Sequence, residues 1–207
     1  MKNIIQNIRR LFFDSSCTCC GEKASDNLIY LCYNCLDKIV RQKSLNKVGD
    51  TYYIWPYKGE FRKLLLEYKN NSRLALGKII SSLIEEEIFK VVYEEDIDYI
   101  VPIPINFRRE QIRGFNQVEE ILKNLNYSFL KTNRVKNTKK MFKILDKEKR
   151  ENNIKNSFKV DKEFKAKNIL IFDDIITTGA TIEEFKRELI KNGEVNKIVV
   201  FSLSASK

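Results

Sequence analysis

An α/β fold, a parallel sheet flanked by helices with a small metal-binding module at its N-terminus, is what this 207-residue sequence predicts. Three observations carry the prediction. From about residue 49 onward, short apolar runs alternate with segments of helical period, the pattern of strands joined by right-handed crossovers. All five cysteines lie between positions 17 and 35. The apolar run Ile169–Phe172 ends in two acids and a Thr-Gly turn that opens a helical segment. The division that follows is residues 1–45 for the cysteine module and 46–207 for the α/β unit.

Cys17 and Cys20 form one C-x2-C, Cys32 and Cys35 a second, and eleven residues separate the pairs. Each short spacing lets two thiolates reach one ion from a tight turn, and Gly21 after Cys20 suits the strained backbone of such a knuckle. Four thiolates make a closed tetrahedral site, so structural Zn2+ is the expected occupant. A segment this small buries little core, and the metal would supply its folding energy. Buried free thiols or a redox pair are the other uses of these spacings. Cys19, the fifth thiol, is left outside the ligand set because it would distort the knuckle.

Next, Phe61, Leu64, Leu65 and Tyr68, then Leu76, Ile79, Ile80, Leu83 and Ile84, recur at helical spacing and predict two amphipathic helices. The run DYIVPIPI, Asp98 to Ile105, reads as a buried strand leading into a proline-constrained loop. A charged helical stretch follows from about Asn116 to Leu125, then the short apolar Tyr127–Leu130 and a long polar segment. NILIF (Asn168–Phe172), a helix from Ala180 and a last strand, KIVVFSLS, complete the alternation. Gly193 stands where a glycine closes a helix.

Composition excludes several chemistries. The chain has no histidine, which removes Ser-His-Asp hydrolysis, Cys-His proteolysis and histidine-ligated zinc catalysis. The longest run without a charge, Asn27 to Leu36, is far below the roughly 20 apolar residues of a membrane span. Arg9 and Arg10 interrupt any signal-peptide core, so a cytoplasmic location with reduced thiols is expected. The formal charge is +10, and the stretch 131–167 holds fourteen Lys+Arg against five Asp+Glu. Such a run is either a solvated face or a surface for polyanions, phosphates or nucleic acid.

The richest segment is ILIFDDIITTGATIEEF, Ile169 to Phe185. In open α/β sheets ligands bind beyond the carboxyl ends of the strands. Thr177, Thr178, Gly179, Ala180 and Thr181 at a helix start offer free backbone N–H groups, hydroxyls and the positive end of the helix dipole to a phosphate. Asp173 and Asp174 can accept hydrogen bonds from a ribose diol. Arg108, Arg109 and Arg113 can meet phosphate oxygens bidentately.

The Ile169–Phe185 segment resembles the PRPP-binding signature of type I phosphoribosyltransferases. With the four-cysteine module, VPIPINFRREQIRGFNQ (Val101 to Gln117) and the stretch Arg134 to Phe158, in that order, the whole chain resembles the ComF family of competence proteins. The resemblance implies a type I phosphoribosyltransferase-like domain that binds PRPP with Mg2+ and acts in the uptake or processing of transforming DNA. It implies that Asp173 and Asp174 serve catalysis, and that Pro104, Arg108, Arg109 and Arg113 lie on the pyrophosphate side. Single-stranded DNA and a competence helicase or other DNA-uptake proteins are the partners it implies. A noncatalytic PRPP sensor or DNA-binding adaptor is the alternative. One departure stands out: three positions after Thr138 the family pattern has Gln, and this chain has Met141.

Overall fold

A computed structural model describes residues 16–26, 28–70, 73–136 and 154–206. The elements run α1 (Tyr33–Arg41), β1 (Asn46–Val48), β2 (Thr51–Pro56), α2 (Gly59–Asn70), α3 (Leu74–Glu94), β3 (Tyr99–Pro102), α4 (Phe107–Arg113), α5 (Gln117–Asn124), β4 (Asn133–Arg134), β5 (Phe158–Lys159), β6 (Phe164–Ile176), α6 (Ala180–Lys191) and β7 (Gly193–Ala205). Five strands form one sheet in the order β1-β2-β7-β6-β3, parallel throughout except for the β1–β2 hairpin. The predicted α/β class with a mostly parallel sheet between helices is therefore the observed one.

The sheet is central because its strands are apolar on both faces, as parallel strands under crossover helices must be. In β6 the side chains alternate. Leu170 and Phe172 join the core shared with α1, α2, α3 and α5, whereas Ile169 and Ile171 join the core under α6, with Phe185 and Leu189. In β7, Phe201 and Val200 divide in the same way. The 21-residue α3 turns Leu76, Ile80, Ile84, Ile88 and Val91 inward at helical spacing.

The sequence reading missed β2. Its aromatic, β-branched TYYIWP precedes the helical stripe that begins at Phe61, and it pairs with β7 from Thr51↔Val200 to Pro56↔Ala205. Trp55 is wholly buried there, donating from Nε1 to Ile39 O (2.9 Å) and stacking on Phe61 at 4.0 Å between centroids. Gly193 follows the C-cap Asn192 as expected, and a second reason fixes it: its φ is +144°, and a Cβ would lie 2.3 Å from Phe164 O.

Within the basic stretch, 137–153, with Thr138 and Met141, lies outside the described residues. Among the described ones, Lys131 pairs with Glu119 (3.2 Å), Lys159 with Asp161 (2.8 Å) and Lys167 with Asp98 (2.8 Å), the behaviour of a solvated face. No described helix is long and apolar enough to cross a membrane.

Candidate functional site

Asp173 and Asp174 lie near the carboxyl end of β6, a strand with a parallel neighbour on each side. Asp174 is buried, and its Oδ2 accepts from Lys69 Nζ at 2.9 Å and from Gln117 Nε2. Asp173 Oδ1 accepts from the Asp174 backbone N–H (2.8 Å). Burial, then the neighbouring Asp174 charge, pushes the Asp173 carboxyl up to about 7; the Asp174 N–H, Lys69 and Arg134 oppose the rise.

The string Arg113–Gln117 is a built connection to this pair. Gly114, at φ +83°, closes α4 in the left-handed conformation that glycine tolerates best. Phe115 packs on Tyr68 with centroids 5.3 Å apart. Asn116 caps α5 by accepting from Val118 N (3.2 Å), while its Nδ2 donates to Ile103 O (3.2 Å), tying the helix start to the end of β3. Gln117 then reaches across: its Oε1 accepts from Arg113 Nη1 and its Nε2 donates to Asp174. Tyr68 OH holds the Gln117 carbonyl at 2.9 Å.

Arg109 and Arg113, one helical turn apart in α4, are both half-buried and both feel the Asp174 charge; burial lowers the pKa of each, and Asp174 works against it. Arg108, a hundred degrees round the same helix, is exposed, and its backbone N–H is taken by the cap residue Asn106 (3.0 Å). Pro104 is buried just after β3, where Ile103 N still bonds to Phe172 O (2.9 Å). Arg134 in β4 lies over the Phe158 ring at 5.2 Å. Burial, then Arg109, brings its pKa down to about 10, against the pull of Asp173.

At the start of α6, Thr177 and Thr178 are exposed, and Gly179, Ala180 and Thr181 are partly so. Gly179 is the N-cap at φ +76°, with no side chain capping the helix. A Cβ there would meet nothing within 4 Å, so the backbone angle rather than crowding demands glycine. The first-turn N–H groups are left open to an anion.

Lys69 and the partners of Gln117 were not singled out in the sequence. Lys69 carried one signal: it sits four residues after buried Leu65, on the edge of the stripe that α2 turns inward.

The cysteine cluster forms a separate centre. The Sγ atoms of Cys17, Cys20, Cys32 and Cys35 all lie within 4.8 Å of one another, and Cys20 and Cys32 are 3.8 Å apart. A tetrahedral zinc with bonds of about 2.3 Å sets its sulfurs roughly 3.8 Å apart, so the donor set fits that ion. Burial works against a Cys17 thiolate, but backbone N–H groups of Cys20, Cys32 and Cys19 outweigh it and bring the thiol down to about 6. Burial and the other three thiols push Cys35 up. Four thiolates this close need a cation among them. Cys19 turns away, as expected: it is buried, its Sγ donates to Glu60 O (3.4 Å), and its carbonyl accepts from Lys63 Nζ (2.7 Å).

No protein-family model matches the chain. Curated relatives do. The DNA utilization protein YhgH of Escherichia coli (strain K12) is 26% identical over 186 residues, 86% of this chain and 78% of that protein. Competence protein F of Haemophilus influenzae is 27% identical over 202 residues, 89% and 83% of the two chains. Competence protein ComFC of Streptococcus pneumoniae is 30% identical over 161 residues, 72% of this chain and 66% of that one.

Proposed function

We propose, from the premise that this chain belongs to the ComF family of competence proteins, that it serves DNA uptake or use by binding PRPP at the end of β6 and transferring its phosphoribosyl group. The observation that carries this reading is the grouping of four cations, Lys69, Arg109, Arg113 and Arg134, around two carboxylates beside an open helix start. Cations gathered beside a carboxylate pair suit a ligand that carries several phosphates and a diol.

In this reading the Thr177–Thr181 turn takes the 5′-phosphate, the acid pair serves the ribose hydroxyls, and Arg109 and Arg113 face the pyrophosphate, with Arg108 at the exposed rim. The C1–O bond to pyrophosphate breaks as the acceptor bonds to C1, through a transition state with oxocarbenium character. Positive charge then grows on the sugar near the carboxylates and negative charge on the leaving group near the arginines. Mg2+, held mainly by substrate oxygens, would neutralise the pyrophosphate. No covalent nucleophile is needed, which suits a chain without histidine. The four cysteines hold Zn2+ as a structural ion, and the module so formed is a platform for DNA or a protein of the uptake machinery.

Release of pyrophosphate from PRPP with Mg2+, with and without single-stranded DNA, tests the reading. Release above the buffer rate supports transfer. Binding without release supports the noncatalytic alternative, which Met141 in place of the family's Gln favours.

A further inference from the structure

The outer face of α3 carries apolar surface that the fold does not use. Ile80, Ile84, Ile88 and Val91 are wholly buried and already give the helix its core face. On the other side Phe89 is 63% exposed and Tyr93 79% exposed. The two are one helical turn apart, and their rings lie nearly parallel, with 10° between planes and 6.4 Å between centroids. Single exposed hydrophobic residues are ordinary. An aromatic pair at two solvent-facing positions, where Glu, Lys or Gln would favour the helix more, points to a contact surface.

The charges around the pair are as uneven as the apolar surface. Five glutamates, at 85, 86, 87, 94 and 95, lie in or just after the second half of the helix. Glu87 pairs with Lys43 (2.8 Å), Glu94 with Lys90 (3.8 Å), and Glu95 with Lys47 (2.8 Å) and Lys197 (2.9 Å). Glu85 and Glu86 are exposed and form no ion pair among the described residues, in a chain with 38 Lys and Arg. Glu85 acts only through its charge, on the half-buried Tyr127. The two acids stand four and three positions before Phe89, so a single turn sets both carboxylates beside the rings. Lys90 lies about 100° round the helix from Phe89, and Glu94 draws it further away.

We propose that this face docks a basic segment of a partner protein, an arginine of which stacks on Phe89 and Tyr93 and pairs with Glu85 and Glu86. The inference is independent of the phosphoribosyl reading.

Arginine is the side chain that meets both halves of the face. Its guanidinium is planar and weakly hydrated, so it lies flat on an aromatic ring while its edge offers a fork of N–H donors to carboxylates. A lysine ammonium can pair with the acids but has no flat face to stack. Charge turns other partners away. Nucleic acid or an anionic lipid surface would bring phosphates against two carboxylates that no described cation neutralises. The chain as a whole carries +10, so a basic partner is repelled by most of its surface and drawn to the patch where the sign is reversed.

The test uses the full chain as wild type, as Phe89→Ser/Tyr93→Ser and as Glu85→Gln/Glu86→Gln, with Ile190→Ser as a control for loss of an exposed apolar side chain elsewhere. The probes are amidated tetra-arginine and tetra-lysine, peptides of equal charge, titrated at low salt and read by NMR of ring and amide signals. All three variants should keep the wild-type Tm within about 4 °C, since every altered side chain is exposed. Tetra-arginine is expected to shift the Phe89 and Tyr93 ring signals and to bind the wild type about two- to fivefold more tightly than tetra-lysine, the size of an exposed cation–π contact. The ring variant should lose that preference, the glutamate variant should weaken both peptides by about two- to fivefold, and Ile190→Ser should change neither. No saturable shift of the two rings at millimolar peptide, equal affinity of the wild type for both peptides, or an arginine preference that survives in the ring variant overturns the proposal. Two further results would also overturn it. A wild-type dimer in sedimentation that the ring variant abolishes gives the face to a second copy of this chain. Binding of a single-stranded oligonucleotide that the ring variant loses gives it to nucleic acid.

Discussion

At the scale of single residues, burial beside a second carboxylate sets how Asp173 responds to pH. Its folded-state pKa is raised from 3.8 to about 7, so the stabilisation it lends is complete below about pH 4 and is lost as pH rises through 7. Asp173→Asn should therefore raise the Tm of the ligand-free protein at pH 8 and change it little at pH 4. Melting curves at the two pH values check this, and an equal shift at both would refute it. Glu95 acts in the opposite window. Hydrogen bonds from Lys47, Tyr52 and Lys197 bring its carboxyl down to about 2, so its contribution is complete above pH 4.5 and is lost as pH falls toward 2. Among the arginines, Arg113 both faces the acid pair and orients Gln117, whereas Lys162 lies over the Tyr99 ring at 4.0 Å. Arg113→Ala should weaken PRPP binding by about tenfold or more and Lys162→Ala by less than twofold in a calorimetric titration, and the reverse order would remove Arg113 from the site.

At the scale of elements, α2 joins two centres. Its twelve residues span about 18 Å. One end meets the cysteine knuckle, through Cys19 to Glu60 O and Lys63 to Cys19 O, and the other end delivers Tyr68 and Lys69 to the acid pair. Cys17, Cys19, Cys32 and Cys35 lie in the same apolar cluster as Trp55, Phe61 and Leu64, so metal loss should be felt beyond the knuckle. Cys32→Ser, or chelation of the wild type, is expected to release one Zn2+ and to shift the emission of Trp55, the sole tryptophan, to longer wavelength. Release of metal with unchanged emission would contradict the coupling. Helical period made α2 and α3 legible in the sequence, since Phe61, Leu64, Leu65 and Tyr68 turn inward as a stripe must. The same stripe hid β2, because six residues of TYYIWP are too short for period to separate strand from helix. Glycines mark the turns. Gly179→Ala should cost about 1 kcal/mol, for its left-handed backbone alone, and Gly193→Ala more, for its clash with Phe164 as well. Denaturant titration of the two variants checks the order.

At the scale of the whole molecule, the parallel order β2-β7-β6-β3 places β6 between two parallel neighbours, and the acid pair near its carboxyl end draws its cations from separate elements: Lys69 of α2 acts on both acids, Arg109 and Arg113 of α4 on Asp174, and Arg134 of β4 on Asp173. The acids, the Thr-Gly turn and the cysteine pairs could be read from the sequence because each is local, a few residues whose chemistry depends on spacing alone. Lys69 and the links from Gln117 could not, because their meaning lies in contacts between elements far apart along the chain. What the fold assembles is a group of cations around two carboxylates, next to uncapped helix N–H groups, and the proposed ligand is one that offers phosphates and a diol together. Neither half of PRPP satisfies all of these at once. Calorimetric titration of the wild-type protein with PRPP, ribose 5-phosphate and inorganic pyrophosphate, each with Mg2+, tests that most directly. The account predicts that PRPP binds at least about tenfold more tightly than either fragment, the least that joining two charge-assisted contacts should give. Absence of PRPP binding, or a fragment that binds as tightly as PRPP, would contradict it.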